Sequence, residues 1–347
     1  MKKTVALALS LALALSLCAC SKADATPTGE PQAGAPTTGA PAELKDITIC
    51  LDWTPNTNHT GLYVAAANGY YAEAGLNVSI VQPPEDGATA LVAAGKAAFG
   101  VTVQDSLAAA FAREDPLPVT AVAALLQHNT SGIISRAGEG IDSPKGLEGK
   151  TYATWNSPIE LAMMQHVMES QGADFAKLNL VPNTFTDEPA ALTARQTDAI
   201  WVYYGWGCIT AQLRDFDFDF FYFKDCDSVL DYYTPVIIAS NAFLESDPET
   251  ARAFLAATAR GYEYAIENPE EAAQILIESD STGSLAGSED LVMESQKWMC
   301  DQYKAEVEQW GYIDPARWDG FYTWLSENEL CAIPLEPGTG FSNDYLS

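Results

Sequence analysis

Ile47-Thr48-Ile49-Cys50-Leu51-Asp52-Trp53-Thr54-Pro55-Asn56-Thr57-Asn58-His59 is the stretch on which the fold turns. Five residues of apolar or β-branched type break off into a polar cluster carrying Pro, Asn and Thr, which reads as a strand ending in a loop. In open α/β sheets, ligands bind just past the carboxyl ends of strands. A helix is expected next, with Leu62, Ala65, Ala66 and Tyr70 on one face and its end near Gly69. The alternation then repeats. Strands are expected at 77–81, 99–103 and 119–126, with an Ala-rich helix at 88–94 closed by Gly95 and another from about Asp105. Strands alternating with helices imply βαβ units and a parallel sheet.

A second, similar series begins at 131–135. Strands are expected at 151–154, 178–181 and 199–202. Ser157-Pro158 opens a long helix, because Ser is a good N-cap and Pro suits the first helical position. The run 232–240 reads as a return crossing, followed by helices at 248–267, from Pro269, at 288–309 and at 315–328. The expected architecture is α/β with two lobes. Residues 46–131 and 235–347 build lobe 1, and 132–234 form lobe 2 as an insertion. Two crossings between lobes make a hinge, with the ligand in the cleft.

The amino terminus carries a different message. Lys2 and Lys3 precede an apolar run over 5–17, which is shorter than the ~20 residues needed to span a bilayer and suits a signal peptide. Leu17-Cys18-Ala19-Cys20 resembles the bacterial lipobox, which makes 1–19 a leader and Cys20 the lipidated first residue of the mature chain. Residues 20–45 then form a tether. The stretch 21–42 is rich in Ala, Pro, Thr and Gly with no large apolar side chain, so it cannot offset its own ordering entropy. Acyl chains on Cys20 would hold the protein at a membrane.

Eighteen Lys and Arg stand against 47 Asp and Glu, which argues against binding a phosphate backbone and hence nucleic acid. Of seven cysteines, five remain after processing: Cys50, Cys208, Cys226, Cys300 and Cys331. They show no CxxC spacing and no zinc-type cluster. Buried thiols are one reading, and disulfides Cys208–Cys226 and Cys300–Cys331 are the other. Nucleotide-binding, metalloprotease and nucleophile-elbow motifs are absent, so no catalytic residue, metal or cofactor is assigned. Asp215, Asp217 and Asp219 alternate with Phe216, Phe218 and Phe220, which places three carboxylates on one face of an expected strand, a solvated face opposite a buried aromatic one.

Three segments offer what a flat heteroaromatic ligand needs, namely stacking faces and a few fixed polar partners. They are Asp52 to Tyr63, the run Trp201-Val202-Tyr203-Tyr204-Gly205-Trp206, and Trp155 between a strand and a helix. The first of them, extended to Leu51–Ala65, closely resembles the opening of the thiamin-precursor-binding proteins. These are periplasmic-binding-type receptors that deliver formylaminopyrimidine or hydroxymethylpyrimidine to ABC importers. The runs 68–76, 143–150 and 232–237 also look like that family, and the likeness extends over nearly all of the chain after the tether.

The resemblance implies a type II periplasmic-binding-protein fold. It also implies a monomer that binds an aminopyrimidine-like molecule and docks on an ABC permease with its ATPase, outside the cytoplasm. The candidate ligand contacts are Asp52, Trp53, Asn56, His59, Tyr63 and Gln104 from lobe 1, with Trp155, Glu188, Tyr203, Tyr204 and Trp206 from lobe 2. A carboxylate such as Asp52 or Glu188 would accept the exocyclic amine while the rings stack. Members of the family often carry an acidic residue directly after the second-lobe Trp, where this chain has Gly207-Cys208. Alternative readings are a riboflavin-like or sulfonate ligand for the same receptor class, or a pyrimidine synthase of a sister branch.

Overall fold

The computed structural model describes residues 43–346. The expected leader, lipidated Cys20 and nearly all of the tether lie outside the described residues. Among the described residues, ten strands form two five-stranded sheets. The first sheet takes β1 (Lys45–Cys50), β2 (Leu76–Val81), β3 (Phe99–Thr102) and β4 (Val119–Ala124). The second takes β5 (Ser131–Arg136), β6 (Thr151–Thr154), β7 (Asn179–Pro182), β8 (Ala199–Tyr203) and β9 (Phe218–Tyr222). The chain then returns to the first sheet as β10 (Val236–Ser240).

The two sheets share one plan. Their orders are β2-β1-β3-β10-β4 and β7-β6-β8-β5-β9. Four strands in each run in one direction, and the strand that arrives from the other sheet inserts antiparallel to them in fourth place. The chain therefore passes between the sheets twice, through 125–130 and 231–235.

Both faces of β1 are buried, as a strand flanked by helices requires. Ile47, Ile49 and Leu51 enter one core cluster and Cys50 enters another. Each fully buried Ile or Leu contributes about 1.5–3 kcal/mol. Beside the crossings, the helix Pro315–Glu327 sends Trp318, Phe321 and Trp324 into the same cluster as Met163, Met164 and Trp201 of the second lobe. Phe321 stacks on Tyr232 at 4.1 Å, and Trp324 meets His166 edge-on at 5.4 Å.

Several expectations need correction. The strand expected over 119–126 ends at Ala124, because the next residues form the crossing. The helix expected over 288–309 is Glu289–Tyr303. The alternating Asp/Phe run does not lie on one strand: β9 starts at Phe218, and Asp215 sits in a left-handed turn with φ 50°. Only Asp219 of the three carboxylates is on the strand, where it accepts from the Gly138 N–H at 2.9 Å. All five described cysteines are free thiols.

Candidate ligand-binding site

The carboxyl ends of β1, β3, β6 and β8 and both crossings open onto one cavity of about 520 Å³. From the first lobe come Asp52, Trp53, Asn56 and Met299. The second lobe adds Trp155, Glu188, Trp201, Tyr203 and Trp206, and the crossings contribute Thr130, Thr234 and Pro235. Seven of the eleven expected contacts therefore share this wall.

Asp52 follows β1 directly, and its carboxylate is held from behind. His59 is fully buried, and its Nδ1 accepts the backbone N–H of Asn56 at 3.3 Å. That leaves Nε2 as the donor, and it lies 2.8 Å from Asp52 Oδ1. Asn56 caps the short turn Thr57–His59 by accepting from the Asn58 N–H at 2.9 Å. A reciprocal capping box between Asn56 and His59 thus sets the direction of the carboxylate.

Trp155 and Trp53 present broad faces, being 54 % and 69 % exposed. Buried Glu160 fixes the turn that carries Trp155. It accepts from Tyr152 Oη at 2.6 Å, Thr154 Oγ1 at 3.0 Å, and the backbone N–H groups of Trp155 and Ser157 at 3.2 Å each. The Ser157–Glu160 box that starts the helix Pro158–Ser170 therefore also holds an indole at the cleft.

Trp206 projects from a single π-helical turn, Tyr204–Cys208, the kind of irregularity that recurs at functional sites. This turn docks across the cleft on the helix Glu289–Tyr303. Tyr204 stacks on Trp298 at 5.1 Å, and Ser295 Oγ donates to the Gly205 carbonyl. A Cβ on Gly205 would meet Met299 Sδ and the Trp298 ring at 2.9 Å, so the close approach requires glycine. Gly207 is equally confined, because a Cβ there would lie 2.7 Å from Val202 Cβ. The family's acidic side chain has no room at this position in this backbone.

Four expected contacts stand away from the cavity wall. His59 lies behind Asp52. Gln104 is buried, donating to the Trp318 carbonyl at 2.9 Å and accepting from the Tyr233 N–H at 2.9 Å. Tyr204 is spent on its stack with Trp298. Tyr63 packs beside Ala273, Leu276 and Val292, where burial, with the Asp280 carboxylate adding, pushes its phenol up to about 12. Thr130 and Trp201 line the cavity in addition to the expected contacts, and Trp201 opens the aromatic run 201–206. Its indole N–H is buried with no partner among the described residues.

The wall carries two carboxylates, Asp52 and Glu188, and no Lys, Arg or His among the described residues that line it. Glu188 makes no hydrogen bond or ion pair among the described residues, since nearby Arg214 pairs with Asp187. Burial, and then the Glu188 charge, raise the Cys208 thiol, and burial with Asp52 lifts Cys50 to about 11, so neither acts as a thiolate near neutral pH. Aromatic faces with acceptors and without cations suit a neutral or cationic ring bearing N–H donors.

Comparison with known proteins gives the following. A family model described as NMT1/THI5 like matches residues 56–272. The formylaminopyrimidine-binding protein of Halalkalibacterium halodurans is 28% identical, across 86% of this chain and 90% of that protein. The riboflavin-binding protein RibY of Chloroflexus aurantiacus is 25% identical, across 92% and 91%. A 4-amino-5-hydroxymethyl-2-methylpyrimidine phosphate synthase of Saccharomyces cerevisiae, THI11, is 26% identical, across 87% and 88%. Among solved structures, the periplasmic aliphatic sulphonate binding protein SsuA of Escherichia coli superposes with a TM-score of 0.64 at 14% identity, covering 85% of this chain and 97% of that one. That likeness shows the periplasmic-binding-protein fold.

Proposed function

The chain belongs to the NMT1/THI5-like family, and from that premise we propose that it is an extracytoplasmic solute-binding protein of an ABC importer whose ligand is an aminopyrimidine precursor of thiamin. The observation that carries this reading is the lining of the cavity: indoles from both lobes, Asp52 and Glu188 as acceptors, and no cationic side chain among the described lining residues. A sulfonate or a phosphate brought there would face two carboxylates without a counter-charge. Two like charges about 4 Å apart repel by roughly 4 kcal/mol at an effective dielectric of 20. The same argument weighs against a synthase whose product is a phosphate ester, and it favours binding over catalysis. A riboflavin ring also meets the requirement of a neutral flat ligand, and the RibY relative keeps it as the competing reading.

In this proposal Cys20 bears the lipid anchor, 20–45 is the tether, and the lobes 46–131 with 235–347 and 132–234 close about the two crossings. The monomer then presents the closed form to the permease and its ATPase. Thermal denaturation of the full chain tests the ligand, with formylaminopyrimidine, hydroxymethylpyrimidine, riboflavin and an alkanesulfonate as separate arms. At a hundredfold excess over Kd a true ligand adds about 2.7 kcal/mol of stability. A rise in Tm with either pyrimidine supports the reading. No shift with both pyrimidines at millimolar concentration overturns it, and a shift with riboflavin alone transfers the assignment.

A further inference from the structure

His128 has a carboxylate on each ring nitrogen. Nδ1 lies 2.6 Å from Asp231 Oδ2 and Nε2 lies 2.8 Å from Glu306 Oε2. Ionised carboxylates only accept, so both nitrogens must donate, and only the imidazolium carries two N–H groups. His59 needs no such charge, because its Nδ1 is an acceptor. His166 faces one carboxylate, Asp227 at 2.9 Å.

The position of the cluster gives it meaning. His128 belongs to the outgoing crossing, 125–130, and Asp231 begins the return crossing, 231–235. The two crossings are stitched further where Asn129 N–H donates to Asp231 Oδ1 at 2.9 Å and Asn129 Nδ2 donates to the Leu230 carbonyl at 2.8 Å. Glu306 follows the helix Glu289–Tyr303, and Arg317 belongs to the helix Pro315–Glu327, both of the first lobe. The Arg317 guanidinium reaches Glu306 at 3.2 Å and Asp231 at 3.7 Å, and it also donates to the Gln127 carbonyl. Asp231, Glu306 and Arg317 are thus the charged groups that face His128. The hydrogen bond that His128 donates to Asp231 leads in raising the imidazole above its usual 6.5, while burial and Arg317 oppose the rise.

We propose that this cluster is a pH-sensitive brace of the hinge, which holds the present arrangement of the lobes while His128 is protonated and yields when it loses the proton. A neutral ring turns one lone pair toward a carboxylate, so one of the two links, to the return crossing or to Glu306, is lost. The cross-cleft contacts of Tyr204 and Gly205 belong to this same arrangement, so loosening the brace favours opening and release. Because the folded-state value is raised, the stabilisation is complete below the ordinary value and is lost as pH rises through the folded-state value.

The test uses the full chain. The ring-proton NMR signals of the three histidines are followed against pH, with His128→Gln identifying the signal of interest. A midpoint above 6.5 is expected, and one at or below it overturns the brace. The Tm difference between wild type and His128→Gln should shrink by about 2 °C or more from about pH 6 to about pH 9, and a constant difference overturns it as well. Glu306→Gln, which removes the negative charge at a partly exposed position, should lower the midpoint. It serves in place of His128→Gln if that variant does not fold, and an unmoved midpoint counts against the brace. These readouts need no ligand, so they fail separately from the pyrimidine assignment. The ligand arm rests on that assignment: a Kd for formylaminopyrimidine that weakens about threefold or more over the same pH range in wild type, but stays flat in His128→Gln, supports control of release. A wild-type Kd that does not change overturns it.

Discussion

His59 aims Asp52 without touching the cavity: its buried ring donates Nε2–H to Asp52 Oδ1 at 2.8 Å while Nδ1 accepts the Asn56 N–H. A carboxylate oriented by a fixed partner has its remaining lone pairs set in advance, which lowers the cost of ordering it around a ligand.

His59→Ala removes both bonds and leaves the Asn56 N–H unpaired. A stability loss of about 1–3 kcal/mol is expected from the unsatisfied groups, with a drop in ligand affinity of about tenfold. Urea unfolding and calorimetric titration of the same variant measure the two effects. A stability loss with unchanged affinity would remove Asp52 from the ligand contacts.

The two prominent indoles should part company on mutation. Trp53 is 69 % exposed, so Trp53→Ala should weaken binding and change stability by no more than about 0.5 kcal/mol. Trp206 packs against Ala273, Leu276, Leu285 and Val292, so Trp206→Ala should weaken binding and also cost about 1.5–3 kcal/mol. Equal stability in the two variants would contradict the packing described for the π-helical turn.

Restoring the acidic residue that the family often carries should harm this protein. In Gly207→Asp the new Cβ would begin 2.7 Å from Val202 Cβ. Overpacking of this kind costs about 1–3 kcal/mol, read as a lower urea midpoint at unchanged slope. A gain in stability or affinity would show that the turn relaxes freely.

On the acid side, Arg136 supplies a clear signature. Its guanidinium grips both Glu139 oxygens at 2.9 and 2.8 Å and holds that carboxyl down at about 2. The folded-state value lies below the ordinary 4.5, so the contribution is present above 4.5 and is lost as pH falls through about 2. The stability difference between wild type and Glu139→Gln should therefore be steady near neutral pH and vanish toward pH 2. A difference independent of pH would mean that the pair adds nothing beyond its neutral hydrogen bonds.

Much of the fold was legible along the chain. The strands from 47 onward, the Ser157-Pro158 start and the helices after Pro248 and Pro269 follow local rules of period and capping, which neighbouring residues satisfy among themselves. The Asp/Phe alternation misled because period two says nothing about where a strand begins, and the left-handed residue at Asp215 breaks it early.

For the site, the sequence alone pointed to segments that line the cavity: the polar cluster after the first strand, Trp155, and the aromatic run ending at Trp206. Each lies at the carboxyl end of a strand, and that placement is a local property. Which side chains of those segments face inward follows from long-range packing. Asp52 and His59 sit in one segment after the first strand, yet one lines the cavity and the other stands behind it, because the capping box turns the imidazole into the protein. Gln104 begins a helix beside the cleft, but its amide is claimed by Trp318 and Tyr233, 214 and 129 residues away along the chain. A buried polar group must find its partners wherever the fold places them. Its direction therefore depends on residues that no local pattern in the sequence connects to it.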